Sequence, residues 1–211
     1  GTSRNCAGGP RPYGWLSCEE VDESGHGFVF LCDVSASELQ APHRLPALGR
    51  FSHEAAAFDA KTGITYLTED TSDSAIYRHV PNHITRPFVG GELQALKVSG
   101  KDRFMLSEGR KVDEAFNVEW VSIPDSQALK ASTRDQAHNA GAAFFSRGEG
   151  AWLADHHVYL CSTDGGPTRR GQLYRLDISP GGEDRLTLVA QAESNDSFDK
   201  PDNVTVSPWG D

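Results

Sequence analysis

The stretch Cys18-Glu19-Glu20 sets a thiol directly against two carboxylates at the end of an apolar run. Further acids recur in similar settings. They are Glu54 in RFSHEAAAFD, Glu69 and Asp70 in YLTED, Glu149 in SRGEGAW, and Asp202 with Asn203 in KPDNVTVSP. Each acid taken alone reads as a solvated strand-end charge. Gathered in a poorly solvated place, they would repel one another unless protons or cations neutralised them. Carboxylate and amide oxygens suit hard cations such as Ca²⁺, and a thiolate among them argues for a transition metal alongside. Metal is therefore what would hold Cys18 among the glutamates. Arg147, two residues before Glu149, carries a guanidinium fork that matches phosphate oxygens better than a lysine would, although an exposed loop arginine is its plainer reading.

Other chemistries have no footing. There is no His-Glu-x-x-His, no Gly-x-Ser-x-Gly elbow and no phosphate-binding P-loop. The eight histidines are scattered through polar loops; only His53 abuts a candidate ligand, Glu54, where it would act as outer support. The formal charge of −10, from 30 acidic and 20 basic residues, argues against a nucleic-acid or anionic-membrane surface and suits a protein that binds cations. No run approaches the ~18 apolar residues of a membrane-spanning helix. Four cysteines without a CxxC pair read, Cys18 apart, as buried thiols or one or two disulfides.

The elements that must position these groups are strands. Short alternating apolar runs lie between Gly, Pro, Asp and Asn turns, including Gly8-Gly9-Pro10. The best helical candidate, Asp125 to Asn139, is polar on most faces and reads as a long loop with one turn of helix. Segments 14–35, 64–82 and 157–179 repeat a scheme of apolar strand, acidic end, turn-rich loop and second strand. Leu16, Leu67 and Leu160 open the equivalent stretches, 51 and 93 positions apart. A repeat of ~40–50 residues with about four strands is the signature of β-propeller blades. HEAAAFDA and GAWLAD supply lead-in strands, region 92–123 a unit between, and NVTVSPWGD the opening of another. Together these make roughly four blades, low in the propeller range of ~4–8, so the chain reads as a single partial propeller domain, 1–211, within a longer protein.

The ordered motifs NCAGGPRPYGWLSCEE, GRFSHEAAAFDAKTGITYLTED, FSRGEGAW, STDGG and PDNVTVSPWGD resemble those of the PhoX-type alkaline phosphatases, in order from residue 5 to 211. The resemblance implies a six-bladed all-β propeller, of which this chain is the N-terminal and central portion. It implies hydrolysis of small phosphate monoesters by an iron and calcium cluster in the central channel, in a monomer exported to the periplasm or beyond. Cys18 resembles the iron-ligating thiolate. Glu54, Glu149, Asp202 and Asn203 resemble ligands of iron or calcium, with Glu19 and Glu69 as weaker counterparts, and Arg147 resembles the arginine that grips the phosphate. The family's last blades lie beyond this chain, so activity is expected of the longer protein. The chemistry is coherent, since clustered cations neutralise the charge that develops in phosphoryl transfer. Two other readings remain open: a non-catalytic, calcium-stabilised propeller used as a binding platform, and a calcium-dependent lactonase-type propeller. Neither gives the thiol a task.

Overall fold

Alternation in the sequence becomes a series of antiparallel units. In the computed structural model, which describes residues 1–179, 181, 183–194 and 197–210, the first unit is β1 (Asn5–Arg11), β2 (Gly14–Glu19), β3 (Val29–Asp33) and β4 (His43–Arg44). The second is β5 (His53–Phe58), β6 (Thr65–Glu69), β7 (Tyr77–Pro81) and β8 (Gly91–Val98), followed by β9 (Ala115–Ser122). The third is β10 (Gly148–Ala154), β11 (His157–Ser162), β12 (Gln172–Asp177) and β13 (Asp184–Gln191). Each unit is a meander whose first strand lies innermost, which is the blade of a β-propeller. The 13-stranded sheet runs β10-β11-β12-β13-β9-β8-β7-β6-β5-β1-β2-β3-β4 and does not close.

Region 92–123 does not make a blade of its own. Its first strand, β8, is the outer strand of the second blade, and β9 lies outside β8 and pairs with β13 of the third, stitching the two together. Nor does NVTVSPWGD form a strand: the described residues from 201 onward include no ladder, and Gly150 N–H donating to the Asp202 carbonyl at 3.0 Å ties this segment to β10. Pro201 and Pro208 cannot donate to a ladder. The polar stretch near 125–139 is a loop ending in one short helix, α1 (Thr133–Asn139), with the Ser132 hydroxyl accepting from Asp135 N–H at 3.0 Å.

The second blade is buried on both faces, and this explains its near-continuous apolar strands. Tyr66, Leu96 and Val98 point toward the third blade, where Leu160, Tyr174 and Leu188 meet them. Leu67, Tyr77 and Ala95 point the other way, against Leu16, Val29 and Leu48 of the first blade and its approach to the second. Chemistry-bearing positions are thus carried on a blade clamped from both sides.

The innermost strands come closer than side chains normally permit. Strand β1 runs parallel to β5, with Gly8 opposite Ala55, and a Cβ on Gly9 would collide with the Ala56 carbonyl. Gly8-Gly9-Pro10 is therefore not a turn but the middle of β1, where glycine allows backbone to lie on backbone. Gly9→Ala must push β1 off β5. It should cost about 1–3 kcal/mol, or several degrees of Tm for a chain of this size. Calorimetry checks this: an unchanged Tm would mean that the two strands need not touch.

Candidate metal centre

All three blades start alike. Cys6, Glu54 and Glu149 each hold the second position of an innermost strand, and in each blade the register with the next strand slips just there: between Cys6 and Gly9, His53 and Ala56, and Gly148 and Ala151. A bulge at this point bends the strand and re-aims the side chain. A second acid stands one residue beyond the paired strand in the first two blades, Glu20 after β2 and Asp70 after β6.

These positions converge. Cys6 Sγ donates to Glu54 Oε1 at 3.1 Å, and Cys6, Glu20 and Glu54 each offer a ligand atom within 4.8 Å of the others. Glu20 in turn hydrogen-bonds Asp70. Asp70 receives Arg147 in a bidentate pair, Nε–Oδ1 at 2.7 Å and Nη2–Oδ2 at 2.9 Å, and Arg147 Nη2 also reaches Glu149 Oε1 at 2.9 Å. One polar network thus crosses three blades. Arg147 sits at φ 45°, unusual for a residue with a Cβ. Two backbone bonds hold it there: its N–H to the Thr71 carbonyl at 2.8 Å and its carbonyl from Thr163 N–H at 3.1 Å. Such strain, about 1–3 kcal/mol, persists where surroundings enforce it and concentrates at functional sites.

Electrostatics report crowding. Burial, then the neighbouring charges of Asp70, Glu54 and Asp202, push the Glu149 carboxyl up to about 9. Burial, reinforced by Glu20, Asp202 and Asp70, pushes Glu54 up to about 7. Burial and the bond to Glu54 push the Cys6 thiol up to about 12. Burial first, then Asp70, raises Glu20. Arg147 is held more firmly charged, chiefly by its bond to Asp70. Carboxylates that would rather keep protons than share a space as anions are ones a cation can satisfy instead. The donor set, hard oxygens with one thiol, fits the metals expected from sequence.

The structure reassigns several of the expected residues. Cys6, read from sequence as a buried thiol or disulfide partner, stands among the carboxylates, and Cys18 stands behind it. The two are directly paired across β1 and β2, and Cys18 is wholly buried, its sulfur accepting from the Gly8 backbone N–H. Burial, then Glu54 and Cys6, raises the Cys18 thiol well above its usual value. All four cysteines are free thiols. Glu19 turns away from the cluster. Its carboxylate accepts from Ser3, Gly27 and Phe28 N–H at 2.8, 2.9 and 3.1 Å and meets His26 at 2.9 Å, bonds that outweigh burial and lower its pKa. Glu69 is likewise committed, to Tyr77 Oη at 2.8 Å and Arg134 Nη1 at 3.0 Å. Glu54, Glu149 and Arg147 lie in the network. Asp202 approaches close enough to act on both glutamates, while Asn203 packs against Gly150 and its Oδ1 accepts from Val204 N–H at 2.9 Å. Glu20 and Asp70, candidates by position, are in the network as well.

Sequence reasoning missed Thr68. The bulge in β5 frees the Ala55 N–H, which donates to Thr68 Oγ1 at 3.0 Å, and that hydroxyl donates to the Glu149 carbonyl at 2.5 Å. One buried hydroxyl therefore ties the backbones beside Glu54 and at Glu149 together. The position one residue before the end of the second strand is Cys18, Thr68 and Cys161 in the three blades. It is a bulge-facing site, and this explains why Cys18 is not itself in the cluster.

A propeller whose inner-strand acids, one thiol and an anchored guanidinium meet at its strand ends presents a donor set that could hold cations, with an arginine beside it. The chain matches the alkaline phosphatase PhoX family over residues 1–211 and belongs to it. Among solved structures, Pseudomonas fluorescens PhoX in complex with vanadate, a transition state analogue, is similar at TM-score 0.72 and 18% identity. That similarity, which concerns the fold, covers 100% of this chain and 54% of that one, so this chain spans about half the length of its solved relative. No curated protein matches it in sequence.

Two outcomes follow. The folded, cation-free protein holds protons on Glu54 and Glu149 that an unfolded chain, with carboxylates near 4.5, has released. Its stability therefore falls as pH rises from about 4.5 through 7 toward 9, and cation binding near pH 8 must release protons. Calorimetric titration in two buffers of different ionisation enthalpy should show that release, and identical heats would refute it. Separately, Thr68→Val keeps the shape but orphans a buried N–H and a carbonyl, costing about 1–3 kcal/mol in denaturant unfolding.

Proposed function

We propose that the protein hydrolyses phosphate monoesters of small molecules with the help of iron and calcium, outside the cytoplasm. The observation that carries this reading is the network from Cys6 through Glu54, Glu20, Asp70 and Arg147 to Glu149, in a member of an alkaline phosphatase family. Bound cations would supply Lewis-acid neutralisation of the charge that builds on phosphoryl oxygens.

The chain's own residues do the rest. Cys6, Glu20, Glu54 and Glu149, with Asp202 beside them, are the donors that would hold the cations. The Cys6 thiol gives iron a soft ligand, for which a calcium-only platform or lactonase has no use. Asp70 and Glu149 fix the Arg147 guanidinium from two sides, yet its side chain stays 42% exposed and Nη1 lies outside those bonds. A fork held this rigidly meets phosphate oxygens without first losing rotamer freedom. Asp70 is thus a positioning residue, acting through Arg147.

The full-length protein should release p-nitrophenol from its phosphate, lose that activity to a chelator and regain it with iron plus calcium. Cys6→Ser should lose iron and activity together. Cys18→Ser should retain most of both, since its sulfur serves the backbone. A fully metallated, inactive full-length protein defeats the reading, and the reverse ranking of the two serine variants defeats the ligand assignment.

A further inference from the structure

Among the described residues, Cys6 and Cys18 are the one pair of thiols directly opposed across neighbouring strands. Cys32 stands opposite Trp15, and Cys161 opposite Leu173. Glu20 N–H donates to the Arg4 carbonyl at 3.0 Å, which makes Arg4 and Glu20 a hydrogen-bonded pair of the ladder. Two residues along, Cys6 and Cys18 are the next such pair. Cα atoms in a pair of this kind lie about 5.5 Å apart, within the ~4.4–6.8 Å that a disulfide spans. Directly opposed side chains also leave the sheet on the same face. The register slips immediately after Cys6, before Gly9, so β1 has slack at the point where a bridge would pull on it.

The two sulfurs are occupied by different partners. Cys6 Sγ donates to Glu54 Oε1 at 3.1 Å, and the Cys18 sulfur accepts from Gly8 N–H. Their exposure differs as well: Cys6 is half-buried and Cys18 is wholly buried. A small external disulfide, such as oxidised glutathione, therefore meets Cys6 first. The Cys6 sulfur attacks one sulfur of the reagent, its proton leaving through Glu54, and expels one thiolate to give a mixed disulfide. The Cys18 sulfur then attacks Cys6, expels the second thiolate and yields its proton to it. In sum, two protein thiols and one external disulfide become one Cys6–Cys18 bond and two external thiols.

We propose that Cys6 and Cys18 are a redox pair, joined by a small disulfide oxidant in the cation-free protein and kept apart by a metal bound at Cys6. A sulfur bonded to Cys18 is no longer a thiolate and cannot serve as a ligand, so the bridge and iron exclude one another. The bridge itself is independent of the phosphatase reading; only its effect on iron draws on Cys6 as a ligand. The full-length protein is to be stripped with a chelator, treated with oxidised glutathione and digested with chymotrypsin, which cuts between the two cysteines after Tyr13 and Trp15. Mass spectrometry should find the Cys6 and Cys18 peptides linked. Cys18→Ser should stop at a glutathione adduct on Cys6, and Cys6→Ser should give neither product. Loss of a ligand's supporting partner alone costs ~10–100-fold in metal affinity, so the bridged protein should bind iron at least about tenfold more weakly until dithiothreitol restores it. Iron bound beforehand should suppress the linked peptides. An adduct that persists on Cys6 with Cys18 present, an unmodified Cys6, or a bridge that forms equally fast with iron bound would overturn the proposal. So would iron uptake undiminished by the bridge. Each readout is of mass or bound metal, so these failures leave the phosphatase reading intact.

Discussion

The close approach of backbones at the inner edge of the blades is the constraint on which everything else rests. Where β1 lies on β5, only a glycine at position 9 fits against the Ala56 carbonyl, a Cβ on Gly8 would strike the Leu16 carbonyl of β2, and where β10 meets the segment after Pro201, Gly150 leaves no room for a Cβ. Strands this close cannot each carry inward side chains along their length. They carry one each, at the second position, where the bulge turns it toward the strand ends. The cluster of Cys6, Glu54 and Glu149 is thus a geometric consequence of three equivalent strands meeting over small residues.

Crowding then dictates electrostatics. Burial raises Glu54, Glu149 and Glu69 alike, but Glu69 is offset by Arg134 and Tyr77 and Glu19 is held by backbone N–H groups, whereas Glu54 and Glu149 face further acids. The difference lies in what occupies their oxygens. Glu19 has two consecutive backbone N–H groups and a histidine on its oxygens, and Glu69 has a tyrosine and an arginine. Their hydrogen-bonding capacity is spent inside the protein, so nothing in their setting asks for a cation.

This is also where legibility in the sequence ended. The blade repeat was readable from Leu16, Leu67 and Leu160, because a two-residue period and turn spacing survive in any single strand. Acids at strand ends were readable for the same reason. What could not be read was which of two adjacent residues faces inward. Cys6 lies before a Gly-Gly-Pro that looks like a turn, so its strand was invisible, and Cys18 looked like the thiol nearest the glutamates. The bulges decide the matter, and a bulge is a mismatch between two strands that neither strand's sequence announces. Thr68 was hidden likewise: a threonine inside YLTED is ordinary strand composition until the register shows an unpaired Ala55 N–H beside it. Aligning on Leu16, Leu67 and Leu160 pairs Cys18 with Glu69 and Ser162, whereas the strand ends pair it with Thr68 and Cys161, a shift of one residue that only the structure supplies.

The balance of charge gives the arrangement its direction. Glu20, Glu54, Asp70 and Glu149, with Asp202 at their edge, face two guanidinium groups, Arg147 bonded to Asp70 and Glu149 and Arg4 acting on Glu20. Two positive charges cannot offset that set, and the protein's own remedy is to keep protons on the most crowded members. Protons and cations therefore compete for the same oxygens, and alkaline conditions favour the cations by removing the competitor. Arg147 occupies the boundary of this competition. Two carboxylates fix it, so its charge is partly spent on the site, yet nearly half of its side chain faces outward. On the phosphatase reading, cations on the acids would relieve the repulsion that a phosphate dianion meets at that outward face, so the anion would bind after the cations, an order set by Coulomb's law rather than by any moving part.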